Sequence, residues 1–588
     1  MGILSLEFIA LTLGTVIVYY IVPLKIRWLV LLVASAVFYT FSGWQGCIWL
    51  VLVALETFLA SLLQERLLKK EQETYDIETA MKNARAEEEK AAADVAVQGI
   101  AATEVVDQAA ATEAADQAAA TEAAEQVSTA QASMEMPAVD ATVEQTAPHI
   151  PTLPENGWFS SSARIRKLRK LVLAIALILP FLAMAVTKYY DSLRALITSM
   201  PQLTLIIPLG LSYFTFQSAA YMIDVYRGKF PAERNPLKYL LFLGFFPQMT
   251  QGPIATYPQL MPQLAEGHRF DPDNFVMGVQ LAMWGFFKKM VIADRLAYVT
   301  AAVNANQKGW FILLTVIIYA IRLYTDFSGG MDVIRGAAKM LGIDVVENFR
   351  RPFFSFSVAE YWRRWHISLG NWFKNYLFYP LTTSGFGLAL SKIGRKLFGK
   401  KAGRMLPATV ANIIIFFLIG IWHTANGNAV IFGLYFGLVL GIELLLDPAF
   451  RKLKKKLHIN EKNIFWKIFT LIRTWILILL PQYFAFTSGP DVGWKLLRNT
   501  FRNWDFTNAG QLFTDISKPL EWYIVAAAFV VLLVVDLICE KKPNLNQILA
   551  KSFFLIRWVV LLVLILSILI FGVYGTGFDA SAFLYTHF

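Results

Sequence analysis

Thiols, imidazoles and charge are all scarce in this chain. Of its 588 residues two are cysteine and six histidine, and Asp, Glu, Lys and Arg together make up 16%, against about 25% in ordinary soluble domains. Cys47 and Cys539 are too few for a disulfide framework or a thiolate metal cluster. No two histidines stand at metal-ligand spacing, so no metal centre is expected. The sequence also lacks a G-x-S-x-G elbow, a P-loop and a strand-borne G-x-G-x-x-G, which excludes the common serine hydrolase, nucleoside triphosphatase and dinucleotide-binding designs. Low charge argues against the roughly three or four soluble domains that this length would allow.

Apolar residues fill the space left by these absences, at 56% hydrophobic and 14% aromatic. Runs at 171–187, 520–539 and 558–573 come near the ~20 residues that cross a ~30 Å hydrocarbon layer. The expectation is an all-α polytopic membrane protein with about eleven crossings, plus broken or re-entrant helices around a central chamber. The formal charge of +11 does not point to nucleic acid, because the basic residues lie in short loops between apolar runs, as membrane orientation requires. Membrane lipids are the expected surroundings.

Three regions follow. Residues 1–64 read as N-terminal membrane helices and 163–588 as the membrane core. Between them, 65–162 is an acidic Ala/Glu-rich insert, disordered or loosely helical. From Glu71 to Glu144 it holds 17 acidic residues against Lys82, Arg85 and Lys90, a net of −14, and the nonapeptide DQAAATEAA fills 107–115 and again 116–124. Nine residues are about 2.5 helical turns, so successive repeats put their acids on opposite faces and no apolar stripe forms. It reads as a solvated linker or an acidic docking arm. Lys25 and Arg27, together with Arg66, Lys69, Lys70 and Arg164 to Lys170, mark one face as cytoplasmic, with the N-terminus outside and the insert inside.

The stretches 247–264 and 349–380 are rich in Pro, Gly, Gln, Arg and aromatics. Irregular backbone at membrane depth is tolerated only when buried in protein or lining a water-filled cavity. Two of the six histidines lie in apolar surroundings. His366 follows Arg363, Arg364 and Trp365 and precedes Lys374, a pattern that suits a chamber-lining helix beside an anionic donor or a helix lying on the membrane surface. His423 sits in Trp422-His-Thr-Ala-Asn426-Gly-Asn428, at the tip of a hairpin whose arms, 405–422 and 428–446, have basic clusters at their outer ends. Such a tip is costly in lipid unless it meets water or partners, and an exposed outer turn is the alternative. Imidazole is mostly neutral at pH 7 and suits a general base acting on a hydroxyl. Without a nucleophile motif, direct acyl transfer between two bound substrates is simpler than a covalent acyl-enzyme.

Taken together, Leu323-Tyr-Thr-Asp326-Phe-Ser328-Gly-Gly-Met-Asp332, Val346 to Pro352 and Tyr361 to Leu369 resemble the core of the membrane-bound O-acyltransferase superfamily, in its alginate O-acetyltransferase-like branch. So do Pro208 to Gln217, Phe246-Pro-Gln248 with Gly252-Pro253, and Phe287-Lys-Lys289 with Asp294. The resemblance implies His423 as the catalytic residue and His366 as a second important histidine. It also makes Arg363, Arg364, Trp365, Lys374, Trp422, Asn426, Asp326 and Ser328 candidates for lining the donor passage. It implies no permanently bound cofactor, acetyl-CoA or an acyl-carrier thioester as donor, and a bacterial cytoplasmic membrane. The acetyl group would pass to an extracytoplasmic partner acetyltransferase and then to a polysaccharide. Alternatives are D-alanyl transfer to teichoic acid from a carrier protein and a non-enzymatic polysaccharide export channel or scaffold. Thr424, Gly427 and Phe436 depart from the branch pattern, which usually has Gly, Trp and His at these places.

Overall fold

A computed structural model describes residues 2–104, 160–197, 200–203, 205, 208–424, 426–507, 509–574 and 583. They are helical almost throughout, and among them nine helices are long and apolar enough to cross a membrane, with a shorter apolar helix, Leu6–Ile21, before them. The stretch after residue 208 breaks into short buried pieces. Leu211–Tyr226 has 16 residues and Pro236–Gly244 only nine, started by Pro236 and capped by Asn235. The chain forms two compact units, one of residues 1–60, 175–223 and 233–588, the other of 61–174 and 224–232.

In the larger unit, burial sorts the helices. Trp310–Met340 has 67% of its apolar window buried, whereas Phe554–Phe571 has none buried and Pro519–Lys541 has 17%. The first is therefore a core element, and the other two present their apolar surfaces outward, as lipid-facing helices do. Trp310–Met340 packs along Pro272–Phe286 at glycine contacts. A Cβ added to Gly285 would stand 2.5 Å from the Gly329 carbonyl oxygen, and one on Gly336 would stand 2.5 Å from that of Gly278. Only glycine permits this approach, the small-residue packing by which membrane helices associate. Pro272–Phe286 then passes into a π-helical stretch, Phe287–Ala293, before Asp294–Ala302.

The stretch 348–373 is built from short pieces. Val358–Arg364, N-capped by Ser357, and Ile367–Phe373 are separated by Trp365 and His366. That break pairs with the chain at 348–350: Phe349 and Trp365 form an antiparallel bridge, Arg350 N–H donates to Arg364 O at 2.9 Å, and Ile367 N–H donates to Asn348 O at 3.0 Å. His366 itself is left-handed, at φ 48° and ψ 52°. A non-glycine residue there is strained unless its surroundings fix it, and such strain collects at functional sites. The hairpin Leu406–His423 and Gly427–Lys456 forms as expected, and a Cβ on Gly437 would stand 2.8 Å from Ile413 Cα.

The helix Arg27–Glu104 runs through residue 65 without interruption; its one break in helical geometry is at Gly43. Glu71 there binds Arg166 at 2.7 Å and Arg169 at 2.6 Å, and Ser162 Oγ donates to Glu78 at 2.9 Å. The two ends of the acidic insert are thus joined by ion pairs. Its nonapeptide repeats lie outside the described residues.

Candidate active site

His366 and His423 line one cavity of about 200 Å³. Val358–Arg364 and the turn after it supply Trp362, Trp365 and His366, and Trp310–Met340 supplies Leu323 and Phe327. The hairpin supplies Ile419, Gly420, His423, Thr424, Asn426, Asn428, Ala429 and Phe432, and 482–487 closes the wall with Gln482, Phe484, Ala485 and Thr487. The enclosure is largely apolar and aromatic, with polar groups gathered at the hairpin tip.

Asn348 fixes His366. Its Oδ1 accepts from Ser368 N–H and Ser368 Oγ, both at 3.0 Å, and stands 3.3 Å from His366 Nδ1. With its hydrogen on Nδ1 the ring donates to this oxygen, which leaves Nε2 as the basic nitrogen. The Phe327 ring stands edge-on to it at 5.0 Å. His423 ends its helix against Trp422, the two rings 4.6 Å apart.

The tip has its own hydrogen-bond pattern. Asn426 caps the second arm, its Oδ1 accepting from Ala429 N–H at 2.9 Å. Asn428 Nδ2 donates to Thr487 O at 2.7 Å, so its Oδ1 is turned the other way. That oxygen and Gln482 Oε1 are buried acceptors with no hydrogen-bond partner among the described residues. Each is a place where a hydroxyl would donate, since a buried unpaired acceptor costs about 1–3 kcal/mol.

The candidates from the sequence therefore divide. His366, His423, Trp365 and Asn426 share the cavity. Trp422 is buried behind His423. Arg363 and Lys374 are exposed, and Arg364 is tied to Glu540 at 2.8 Å and to Glu360 at 2.8 Å. Asp326 and Ser328 lie outside the cavity lining: Lys289 Nζ sits 2.6 Å from Asp326 and 2.7 Å from Asp294, and Lys288 Nζ donates to Ser328 Oγ at 2.9 Å and pairs with Asp332 at 2.7 Å. Both lysines stand on the π-helical stretch. Asn348, Asn428 and Gln482 escaped sequence reasoning. Asn428 stood in the polar tip, Gln482 follows a proline at the end of an apolar run, and only three-dimensional pairing reveals Asn348.

Fold and site together define a polytopic membrane protein with two histidines lining one mainly apolar cavity. Residues 231–488 match the family model of MBOAT, the membrane-bound O-acyltransferase family, and the chain is similar to alginate O-acetylases. It is 32% identical to the probable alginate O-acetylase AlgI of Pseudomonas syringae pv. tomato over 345 residues, 57% of each chain. It is likewise 32% identical to the protein of that name from Azotobacter vinelandii, over 58% of this chain and 64% of the relative. Teichoic acid D-alanyltransferase of Bacillus subtilis is 28% identical over 49% of this chain and 71% of its own. The matched stretch thus spans about six-tenths of the alginate O-acetylases' length.

Proposed function

We propose that the protein is a membrane O-acyltransferase that moves an acetyl group from a cytoplasmic thioester to a hydroxyl-bearing acceptor on the outer side, for O-acetylation of a cell-envelope polysaccharide. The observation that carries this reading is the chamber with two histidines in its wall. In the reaction His423 removes the acceptor hydroxyl proton, the oxygen attacks the thioester carbonyl and a C–O bond forms. The C–S bond then breaks and the thiolate leaves with the proton from the imidazolium. His366, held as its Nδ1–H tautomer, orients the reacting groups through Nε2. Asn428 Oδ1 and Gln482 Oε1 are placed to accept from hydroxyls of the acceptor. Acetyl-CoA or an acyl-carrier thioester supplies the acyl group, and a partner acetyltransferase outside the membrane is the proposed first acceptor. The reading places the chain in a bacterial cytoplasmic membrane with its N-terminus outside and the acidic insert in the cytoplasm.

The make-up of the lining favours acetyl over the alternatives. D-alanyl transfer would bring an ammonium into the chamber, and none of its described lining residues is Asp or Glu. An export channel would need a polar path, whereas this lining is mainly aromatic and aliphatic. The test is label transfer by the purified protein from acetyl-CoA, and from D-alanyl and acetyl forms of a carrier protein, to a hydroxyl acceptor. Transfer from an acetyl thioester is expected; transfer of D-alanyl alone, or of nothing with the full protein folded, would overturn the reading.

A further inference from the structure

The carbonyls at the end of a membrane helix need partners from outside it, because the last turn has no N–H groups beyond it to donate. Leu406–His423 ends in the residue proposed as the base, so its last turn determines where that imidazole stands. Gly420 O is met by Thr424 N–H at 3.3 Å. The next two carbonyls are met from another helix, Ser160–Leu196. Tyr189 OH donates to Ile421 O at 2.7 Å, and Lys188 Nζ donates to Trp422 O. The Lys188 ammonium also lies over the Trp422 ring, 5.1 Å from its centroid. About two turns earlier, Phe181 packs edge-on against Phe216 at 5.8 Å, and Phe216 contacts the Trp422 ring at 5.4 Å.

We propose that Lys188 and Tyr189 form a clamp that closes the end of the histidine helix and so positions His423 in the chamber; this rests on His423 being the base. Neither residue lines the cavity, so both act through the backbone that carries His423. Three facts point the same way. An ionisable side chain within a membrane span is costly and is kept for a purpose. A cation at a helix C-terminus also meets the negative end of the helix dipole. Finally, the two donors come from successive residues of one helix and meet successive carbonyls of the other, so they fix the last turn in both translation and rotation. Loss of one donor should leave the hairpin folded while letting its final turn drift, and a displacement of about 1 Å at a reacting group can cost on the order of 10²-fold in rate.

The experiment measures acetyl transfer from acetyl-CoA by the purified full-length protein, with Lys188→Met, Lys188→Arg, Tyr189→Phe and His423→Ala in parallel. Lys188→Met should lower kcat on the order of 10- to 100-fold with the donor KM within about twofold of wild type. Lys188→Arg, which keeps a charged donor, should recover to within about threefold, and Tyr189→Phe should lose about 3- to 10-fold. A Lys188→Met protein with half or more of wild-type kcat would overturn the clamp, as would equal losses in the Met and Arg variants. If Lys188→Met fails to fold, Tyr189→Phe decides, and full activity there overturns the clamp. If wild type shows no His423-dependent transfer, the functional reading has failed and the clamp is judged on structure. A cryo-EM map of Tyr189→Phe in nanodiscs should show the Trp422–His423 turn displaced by about 1 Å or more; an unmoved turn would overturn it.

Discussion

Lys289 offers the sharpest test of how the core is held together. Its ammonium is shared by Asp326 at 2.6 Å and Asp294 at 2.7 Å, and Lys289 and Asp326 are 2% and 1% exposed while Asp294 is 11% exposed. Lys289→Met removes one cation and leaves two carboxylates facing each other away from water. Removing one partner of a buried ion pair costs about 3–5 kcal/mol. At about 1.4 kcal/mol per factor of ten, the folded population should fall by about 10²- to 10⁴-fold relative to the unfolded. Asp326→Asn leaves Lys289 paired with Asp294 and should cost less, about 1–3 kcal/mol. The triple variant Lys289→Met/Asp326→Leu/Asp294→Leu should recover most of the loss, since well-packed apolar groups replace buried ion pairs at little cost. The assay is denaturant unfolding of purified protein in one detergent. A Lys289→Met protein within about 1 kcal/mol of wild type would refute the reasoning, as would a triple variant less stable than the single one.

Three further outcomes follow from the same geometry. Asn348→Ala removes the acceptor that holds the His366 tautomer and should lower acyl transfer about 10-fold or more with little change in expression, read as kcat at saturating donor; an unchanged kcat would leave His366 without a role for its ring. Arg363→Glu/Lys374→Glu reverses two exposed cations and should raise the donor KM and its sensitivity to salt; the same KM at low and high ionic strength would place donor entry elsewhere. Replacing 83–159 with a short Gly/Ser loop should preserve folding and most transfer, because Ser162 and Glu78 already join the flanking helices at 2.9 Å; loss of monodisperse protein would make the arm a structural part.

Much of this was legible in the sequence, for definite physical reasons. Apolar runs near 20 residues announce helices wherever they fall, and the polar tip between two such runs announced the hairpin and His423. Register along the chain carried His366, Trp365 and Asn426 into the same chamber. Partnership across the chain was not legible. Asp326 was a candidate through the resemblance, yet its partner Lys289 lies 37 positions earlier on a π-helical turn. Arg364 looked free for a donor, but Glu540, 176 positions away, binds it. Arg27, read only as a marker of the cytoplasmic face, is buried and donates to the carbonyls of Val22 and Tyr20 at 3.0 and 3.1 Å. Short apolar pieces buried in protein, such as Pro236–Gly244, have the composition of a span without its length.

The central claim is that His423 acts as the base in a chamber it shares with His366, and acyl transfer by His423→Ala tests it most directly. Purified wild-type and variant protein would be compared for label transfer from acetyl-CoA to a hydroxyl acceptor, with the thermal midpoint measured on the same preparations. The expected result is a loss of about 10²- to 10⁴-fold in kcat at an unchanged midpoint. A folded His423→Ala protein that keeps half or more of the wild-type rate would contradict the claim.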